Sequence, residues 1–250
     1  MTVKRFSLTR DYEIKCLAYL PEQGSMTSVT IGVHGFAGDK ESSMLKALGK
    51  RLTERGGALL AFDFPAHGES PAMEDYLTVL NCINDLIFLA DYVRARYPAA
   101  QRFVFATSFG GYISLLASDK LSDFEFILRA PAVTMPKILL DTVLKTNRDS
   151  FEKTGVITCG FERKLSLPFS FLLDLEDMED TRRLPLSQRS LIIHGTNDSV
   201  VPLEHILEYC NSHPDADLRL MEGADHRFKR KGELDCVADM AIDFIYRQGR

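Results

Sequence analysis

The stretch FATSFGG, Phe105 to Gly111, places a serine between a run of apolar residues and two glycines. Such a pattern is typical of a strand, a sharp turn and a helix, and this kind of turn can present a serine hydroxyl as a nucleophile. Ala106 stands where the turn usually has glycine, and alanine adds only one methyl group. We therefore predict a strand-turn-helix unit with Ser108 at its apex.

Around this unit, the chain alternates short apolar runs with longer amphipathic segments. The segments carry apolar residues at helical spacing, and KRFSLT and EIKCLAYL near the start predict an antiparallel strand pair at one edge. Together the elements predict an α/β fold with a mostly parallel, doubly wound sheet of about eight strands. The runs that predict buried parallel strands are residues 28–35, 57–63, 102–108, 124–130, 190–196 and 218–223.

The alternation stops between residues 132 and 188. A helical piece, a hairpin pattern and an acidic stretch follow one another there. An insertion after a strand of an open sheet lies over the carboxyl ends of the strands, where such folds bind ligands. We predict one domain over residues 1–250 with a lid insertion at about 132–188; the alternative is a surface excursion that only stabilises the sheet edge.

Composition and charge exclude several classes of protein. The chain is 45% hydrophobic and 26% charged, as in ordinary globular proteins. A net charge of -5 and a pI near 5.7 provide no basic field, so neither nucleic acid nor a membrane is expected as a partner. There is no signal-like or membrane-spanning apolar segment, and the five cysteines are scattered without C-x-x-C spacing. We expect a cytoplasmic location.

The histidines and glycine-rich segments predict neither a metal nor a cofactor. No two histidines lie four residues apart on a helix beside a carboxylate. The segment GFAGDKESS lacks the spacing of a nucleotide-binding loop. His194 is interpreted as a core histidine, and nothing indicates a ligand role for His205 or His213.

Three residues with complementary chemistry follow the ends of predicted strands. Ser108 follows RFVFAT, Asp198 follows SLIIHGTN, and His226 follows LRLMEGAD. This order predicts a catalytic triad in which Ser108 is the nucleophile, His226 the general base and Asp198 the group that orients the imidazole. Asp225 is the other available carboxylate, but adjacent residues in an extended segment point to opposite sides, which favours Asp198.

These motifs resemble those of the α/β-hydrolase superfamily, and more narrowly of bacterial feruloyl or cinnamoyl esterases. The resemblance implies an oxyanion hole formed by the backbone N–H groups of Phe36 and Phe109. It also implies structural roles for His34, Asp63, His67 and Glu69. The motifs that carry it are HGFAG (34–38), DFPAHGES (63–70), ATSFGG (106–111), APA (130–132), HGTNDSVVP (194–202) and EGADHRF (222–228).

The expected function is a cofactor-free carboxylesterase that acts on a small-molecule ester through an acyl-enzyme intermediate. A thioesterase, an acyltransferase or a peptidase could use the same triad, and a non-catalytic binding protein on a hydrolase fold is the alternative outside the enzymes. The predicted lid is rich in phenylalanine and has no tyrosine. We therefore expect Phe169 and Phe171 to line an apolar acyl pocket, with Asp141 as a polar contact. The sequence does not indicate an oligomeric state.

Overall fold

The strands lie where the apolar runs predict them. The computed structural model describes residues 1–22, 26–139, 156–159, 165–176, 178, 181, 184, 186 and 188–247. Its strands are β1 (Thr2–Thr9), β2 (Glu13–Leu20), β3 (Ser28–Val33), β4 (Gly57–Phe62), β5 (Gln101–Thr107), β6 (Glu125–Arg129), β7 (Val156–Cys159), β8 (Leu165–Pro168), β9 (Ser190–Gly195) and β10 (Asp217–Met221).

Eight of these strands form one sheet in the order β1-β2-β4-β3-β5-β6-β9-β10. The pair β1 and β2 is antiparallel, with Thr2 opposite Leu20, and β2 is antiparallel to β4. All other neighbours in the sheet are parallel. The predicted fold class, a mostly parallel sheet of about eight strands with an antiparallel edge, is therefore confirmed.

Helices cover both faces of this sheet. Residues of α2, α3 and α6 belong to one buried apolar cluster, and residues of α1 and α7 belong to a second cluster on the other face. No helix within the described ranges is long and apolar enough to cross a membrane. The helices are α1 (Ser43–Glu54), α2 (Val79–Arg96), α3 (Phe109–Leu116), α4 (Met135–Leu139), α5 (Phe169–Glu176), α6 (Leu203–Ser212) and α7 (Glu233–Tyr246), with short 3-10 helices at Glu74–Tyr76 and Ser118–Leu121.

The parallel strands bring their carboxyl ends to one edge of the sheet. The loops that follow β3, β5, β9 and β10 all begin at this edge. They carry Phe36, Ser108, Asp198 and His226, respectively. Residues that are far apart in the sequence therefore meet because of strand order, as in other open α/β sheets.

The described part of the insertion is attached to the main body. The predicted hairpin is present, because β7 and β8 pair antiparallel with Val156 opposite Pro168. In α5, the carboxylate of Asp174 accepts a hydrogen bond from the N–H of Val79, the first residue of α2. The hydroxyl of Thr181 donates to the carbonyl of Val133 at 2.6 Å. That the segment acts as a lid remains a prediction.

Candidate active site

Ser108 lies in a strained turn between β5 and α3. Its φ of 50° and ψ of -115° fall in a region that residues other than glycine rarely adopt. Backbone hydrogen bonds fix this conformation: the N–H of Ser108 donates to the carbonyl of Arg129 at 3.0 Å, and the carbonyl of Ser108 accepts from the N–H of Ala132 at 3.0 Å. The turn thus holds the serine in one orientation at the end of the strand.

Two glycines behind Ser108 allow the backbone to pack closely. A Cβ on Gly110 would lie 2.4 Å from the carbonyl oxygen of His34, and one on Gly111 would lie 2.8 Å from the Cβ of Pro131. Any side chain at either position would require a shift of the backbone or of its neighbour. Ala106, in contrast, is fully buried in the strand, so its methyl group is accommodated without disturbing the turn.

The structure brings Ser108, His226 and Asp198 into one hydrogen-bonded chain. His226 Nε2 lies 3.0 Å from Ser108 Oγ, and His226 Nδ1 lies 2.7 Å from Asp198 Oδ2. An ionised carboxylate only accepts hydrogen bonds, so Nδ1 carries the proton and Nε2 is left to accept from the serine hydroxyl. A base in this tautomer can remove the proton of Ser108.

Asp198 is held so that one oxygen is reserved for His226. Its Oδ1 accepts the N–H groups of Val200 and Val201, each at 2.8 Å. Burial opposes ionisation of Asp198, but the hydrogen bond and charge of His226 and these two N–H groups outweigh it and lower the pKa of Asp198. The carboxylate is therefore ionised near neutral pH and can stabilise a positive imidazolium.

Asp225 has a different position and a different set of partners. Its Oδ1 accepts the N–H of Arg227 at 3.0 Å and the N–H of Lys229 at 3.2 Å. This side chain therefore closes the turn that carries His226 and does not face the imidazole. Of the two carboxylates that the sequence offered, only Asp198 contacts the ring.

The backbone N–H groups of Phe36 and Phe109 lie on either side of this turn. Phe109 begins α3, and Phe36 lies in a loop so close to the turn that a Cβ on Gly35 would be 3.3 Å from the Cβ of Ser108. Neither N–H meets an acceptor within the described part of the chain. The two rings pack edge to face at 5.6 Å. Two unused donors beside Ser108 could bind a developing oxyanion.

Two histidines connect the loop of Phe36 to the loop after β4. His34 Nε2 accepts the N–H of Phe64 at 3.2 Å, while its Nδ1 donates to the carbonyl of Gly35 at 2.8 Å. His67 Nε2 accepts the N–H of Ala37 at 3.0 Å. These bonds fix the loop that presents the Phe36 N–H, in agreement with the structural roles expected for both residues.

A buried lysine, which sequence reasoning missed, braces the same loop. The side chain of Lys40 is 2% exposed, and its Nζ lies 2.5 Å from Asp63 Oδ2 and 2.7 Å from Glu69 Oε2. Burial disfavours the charge, but the hydrogen bonds and charges of the two carboxylates outweigh it and raise the pKa of Lys40. No local pattern marked Lys40, because an isolated lysine in a loop is typical of a solvent-exposed residue.

His194 and His205 are buried, and each forms a hydrogen bond within the protein. His194 is fully buried, and its Nε2 donates to the carbonyl of Val201 at 3.1 Å. Burial lowers the pKa of His194, although the nearby charge of Asp198 opposes this shift. His205 Nδ1 forms a hydrogen bond with the hydroxyl of Thr134 at 2.7 Å.

Phe171 is the predicted lid residue whose surroundings are described. It is fully buried, and its ring centroid lies 6.1 Å from that of Phe36 and 6.2 Å from that of Phe109. It therefore packs on the two residues whose N–H groups flank Ser108. Phe169 is the first residue of α5, but its side chain lies outside the described residues, as does the whole of Asp141.

Arg129, the last residue of β6, is a second buried cation that sequence reasoning missed. Its side chain donates from Nη2 to the carbonyl of His226 at 3.3 Å, and its guanidinium carbon lies 5.0 Å from the centre of the Phe228 ring. Burial lowers the pKa of Arg129 to about 10, opposed by the charge of Asp198. The sequence contained an indication that this arginine is buried, since Arg129 interrupts the apolar run FEFILRA.

The sheet order, the strained serine turn and the Ser108, His226 and Asp198 geometry together define the class of α/β hydrolases. The family model described as serine aminopeptidase, S33, matches residues 24–158, just over half of the chain. The chain therefore belongs to this family. No relative was found among curated protein sequences.

Solved structures with the same fold resemble the chain along nearly its whole length. A ferulic acid complex of Est1E from Butyrivibrio proteoclasticus has a TM-score of 0.85, 20% identity, and coverage of 97% of this chain and 98% of that chain. Alpha/beta hydrolase domain-containing protein 10 from mouse has a TM-score of 0.79 and 19% identity, with coverage of 98% of this chain and 99% of that chain. The esterase domain of a Rhodothermus marinus protein has a TM-score of 0.72 and 19% identity, with coverage of 99% of each chain. At these identities the similarity establishes the fold.

Proposed function

We propose that the protein is a serine carboxylesterase that works through an acyl-enzyme intermediate. The observation that carries this proposal is the hydrogen-bonded chain from Ser108 Oγ through His226 to Asp198, at 3.0 Å and 2.7 Å. His226 Nε2 takes the proton of Ser108 Oγ as that oxygen attacks the ester carbonyl carbon. The proton then passes to the leaving alkoxide as the ester C–O bond breaks.

The second half of the reaction repeats these transfers with water. Water attacks the acyl carbon and gives its proton to His226, which returns one to Ser108 Oγ as the acid departs. In both halves, the N–H groups of Phe36 and Phe109 would donate to the carbonyl oxygen when it becomes negative. The N-terminus of α3, directed at the same point, adds a favourable dipole.

The aromatic residues around Ser108 favour an ester with a bulky apolar or aryl acyl group. The rings of Phe36, Phe109 and Phe171 contact one another, and Phe64 packs on Phe109 with a centroid distance of 5.8 Å. Phe36 is the partly exposed ring of this group, and an apolar wall of this kind selects acyl groups by size and shape. The ferulic acid complex of the similar Est1E supports an aryl acyl group. We propose that residues 132–188 act as the lid of this pocket.

Peptide hydrolysis is a second candidate, because the matching family is described as a serine aminopeptidase. The triad alone would serve a peptidase, thioesterase or acyltransferase equally well. A panel of hydroxycinnamoyl, naphthyl and p-nitrophenyl esters, an acyl thioester and aminoacyl p-nitroanilides separates esterase, thioesterase and peptidase activity. We expect the highest kcat/KM for an ester with an aryl or long acyl group. A higher value for the anilides would replace the esterase proposal while retaining the triad.

Covalent labelling tests the nucleophile without knowledge of the substrate. A fluorophosphonate should form one adduct on Ser108, detectable by mass spectrometry of the intact protein and its peptides. The Ser108→Ala variant should fold and remain unlabelled. Folded wild-type protein that forms no adduct would favour a non-catalytic binding protein instead.

The proposed location of the protein is the reducing cytoplasm. The cysteines Cys16, Cys82, Cys210 and Cys236 are free thiols in the described residues, and the first two are buried. Free thiols of this kind are typical of proteins in a reducing compartment. Cell fractionation with an antibody to the protein would test the location.

A further inference from the structure

Arg129 is a buried charge with few partners. The one hydrogen bond of its side chain among the described residues is the 3.3 Å bond from Nη2 to the carbonyl of His226. Its Nε has no acceptor, and no carboxylate in the described ranges lies within ion-pair distance. The charges of Asp198, Asp225 and Arg227 act on it from farther away. The face of Phe228 covers one side of the guanidinium.

Such an environment is costly for a charged group and does not serve stability. A guanidinium removed from water needs several hydrogen bonds or a paired carboxylate to recover its lost hydration. Lys40, which is also buried, has two carboxylates within 2.7 Å. Arg129 has none, so an apolar side chain of similar length would lose one hydrogen bond and one ring contact but would also remove a buried charge, and we expect little net change in stability.

The contacts of Arg129 connect the nucleophile to the base. Its backbone carbonyl accepts the N–H of Ser108 at 3.0 Å, and its side chain holds the carbonyl of His226. Phe228, two residues after His226, has a φ of 54° and lies on the guanidinium. Arg129 therefore contacts the turn of His226 at two points while its own backbone fixes the strained serine.

We propose that Arg129 is a positioning residue that sets the distance between Ser108 Oγ and His226 Nε2 by holding the His226 turn against the end of β6. This inference rests on the proposed function, because the distance matters only if Ser108 reacts. The turn also has the Asp225 side chain as an internal brace, which keeps it folded without Arg129. Loss of the arginine should therefore move the imidazole without unfolding the protein.

A second arginine with similar contacts provides the control. Arg189, just before β9 at the amino ends of the strands, donates to the carbonyl of Phe244 at 3.1 Å and covers that residue's ring at 3.9 Å. It is more exposed than Arg129 and also pairs with Glu125. We would compare Arg129→Met and Arg129→Lys with Arg189→Met. The measurements are kcat and KM with a p-nitrophenyl ester, the rate of fluorophosphonate labelling, Tm, and the low-field proton resonance of His226 Nδ1–H.

For Arg129→Met we expect kcat and the labelling rate to fall about ten- to a hundredfold, the effect of a small misplacement of a reacting group. KM should change by less than about threefold, and Tm should stay unchanged or rise. The low-field resonance should broaden or shift, because the His226 to Asp198 bond is disturbed. Arg129→Lys keeps a donor and should lose less activity. Arg189→Met should keep the wild-type kcat and resonance.

Each result decides between this inference and its alternatives. Wild-type kcat, labelling and resonance in folded Arg129→Met would overturn the positioning role, as would an equal loss of kcat in Arg189→Met. If Arg129→Met does not fold, Arg129→Leu, which also removes the donor to the His226 carbonyl, carries the test, and wild-type labelling with an unchanged resonance in that variant would overturn the role. Wild-type protein that neither labels nor hydrolyses any ester would refute the proposed function itself, and the inference with it.

Discussion

Replacement of Asp198 by asparagine isolates the electrostatic part of the proposed mechanism. The new amide would still present its oxygen to the N–H groups of Val200 and Val201, which Asp198 Oδ1 accepts at 2.8 Å. Its NH₂ group would replace Oδ2 at His226 Nδ1, where a donor would meet a donor. The imidazole would then favour the tautomer with its proton on Nε2, which cannot accept the proton of Ser108.

The size of the effect follows from the buried 2.7 Å bond between Asp198 Oδ2 and His226 Nδ1. A hydrogen bond to a charged group contributes about 1.5 to 3 kcal/mol, and about 1.4 kcal/mol corresponds to tenfold in rate. The upper part of this range alone gives roughly a hundredfold. In serine proteases the same change costs roughly 10⁴ in kcat. We therefore expect Asp198→Asn to lose at least about a hundredfold in kcat near neutral pH.

Asp225→Asn is the matched control, since it makes the same chemical change one residue from the same histidine. The amide oxygen of this variant could stay on the N–H groups of Arg227 and Lys229, so we expect kcat to fall by less than about threefold. The assay is steady-state hydrolysis of a p-nitrophenyl ester, with circular dichroism to verify folding. A larger loss in Asp225→Asn than in Asp198→Asn, with both proteins folded, would refute the assignment of the acid.

Three further predictions follow from other parts of the structure. Phe171→Ala should change the ratio of kcat/KM between acetyl and cinnamoyl esters by about 1 to 3 kcal/mol. Phe124 is equally buried but lies at the amino end of β6, so Phe124→Ala should leave this ratio unchanged. Equal ratios in both variants would contradict the acyl pocket. Gly110→Ala should lower the free energy of unfolding by about 1 to 3 kcal/mol in urea melts and should slow fluorophosphonate labelling, because the new Cβ would meet the His34 carbonyl. Wild-type values of both quantities would contradict the close approach of Gly110 to that carbonyl. Burial raises the pKa of Asp85 to about 6, so the folded state binds the proton more tightly than the unfolded state, and stability is lost as the pH rises from about 4 to 6. The Asp85→Asn variant does not have this loss, so its Tm relative to that of the wild type should rise over the same pH range. A difference in Tm that does not depend on pH would contradict the raised pKa of the buried carboxyl.

The fold was predictable from the sequence, and so were the three polar residues that the structure brings together at the candidate site. Strands buried on both faces appear as continuous apolar runs, and the predicted run 190–196 differs from β9 only by its last residue. The order of Ser108, Asp198 and His226 after three such runs indicated the chemistry. These signals are local, because hydrophobic spacing and turn residues reflect what each short segment needs in order to be buried or to turn.

The sequence offered two carboxylates for His226, and the side-chain direction favoured Asp198 without excluding Asp225. Only the structure showed that Asp225 is used by its own turn while Asp198 contacts the ring. It also brought Arg129 to the carbonyl of His226 and Phe171 to the rings of Phe36 and Phe109. Each of these contacts joins segments that are distant in the chain.

The physical reason is that such contacts depend on where whole elements pack. Ser108 and His226 are 118 residues apart, and Asp198 and His226 are 28 apart. Their distances follow from the order of β5, β6, β9 and β10 in the sheet, which no local pattern contains. Spacing along the chain determines which residues stand at strand ends, but the packing of the strands determines which of those residues meet and which polar atoms are left for chemistry.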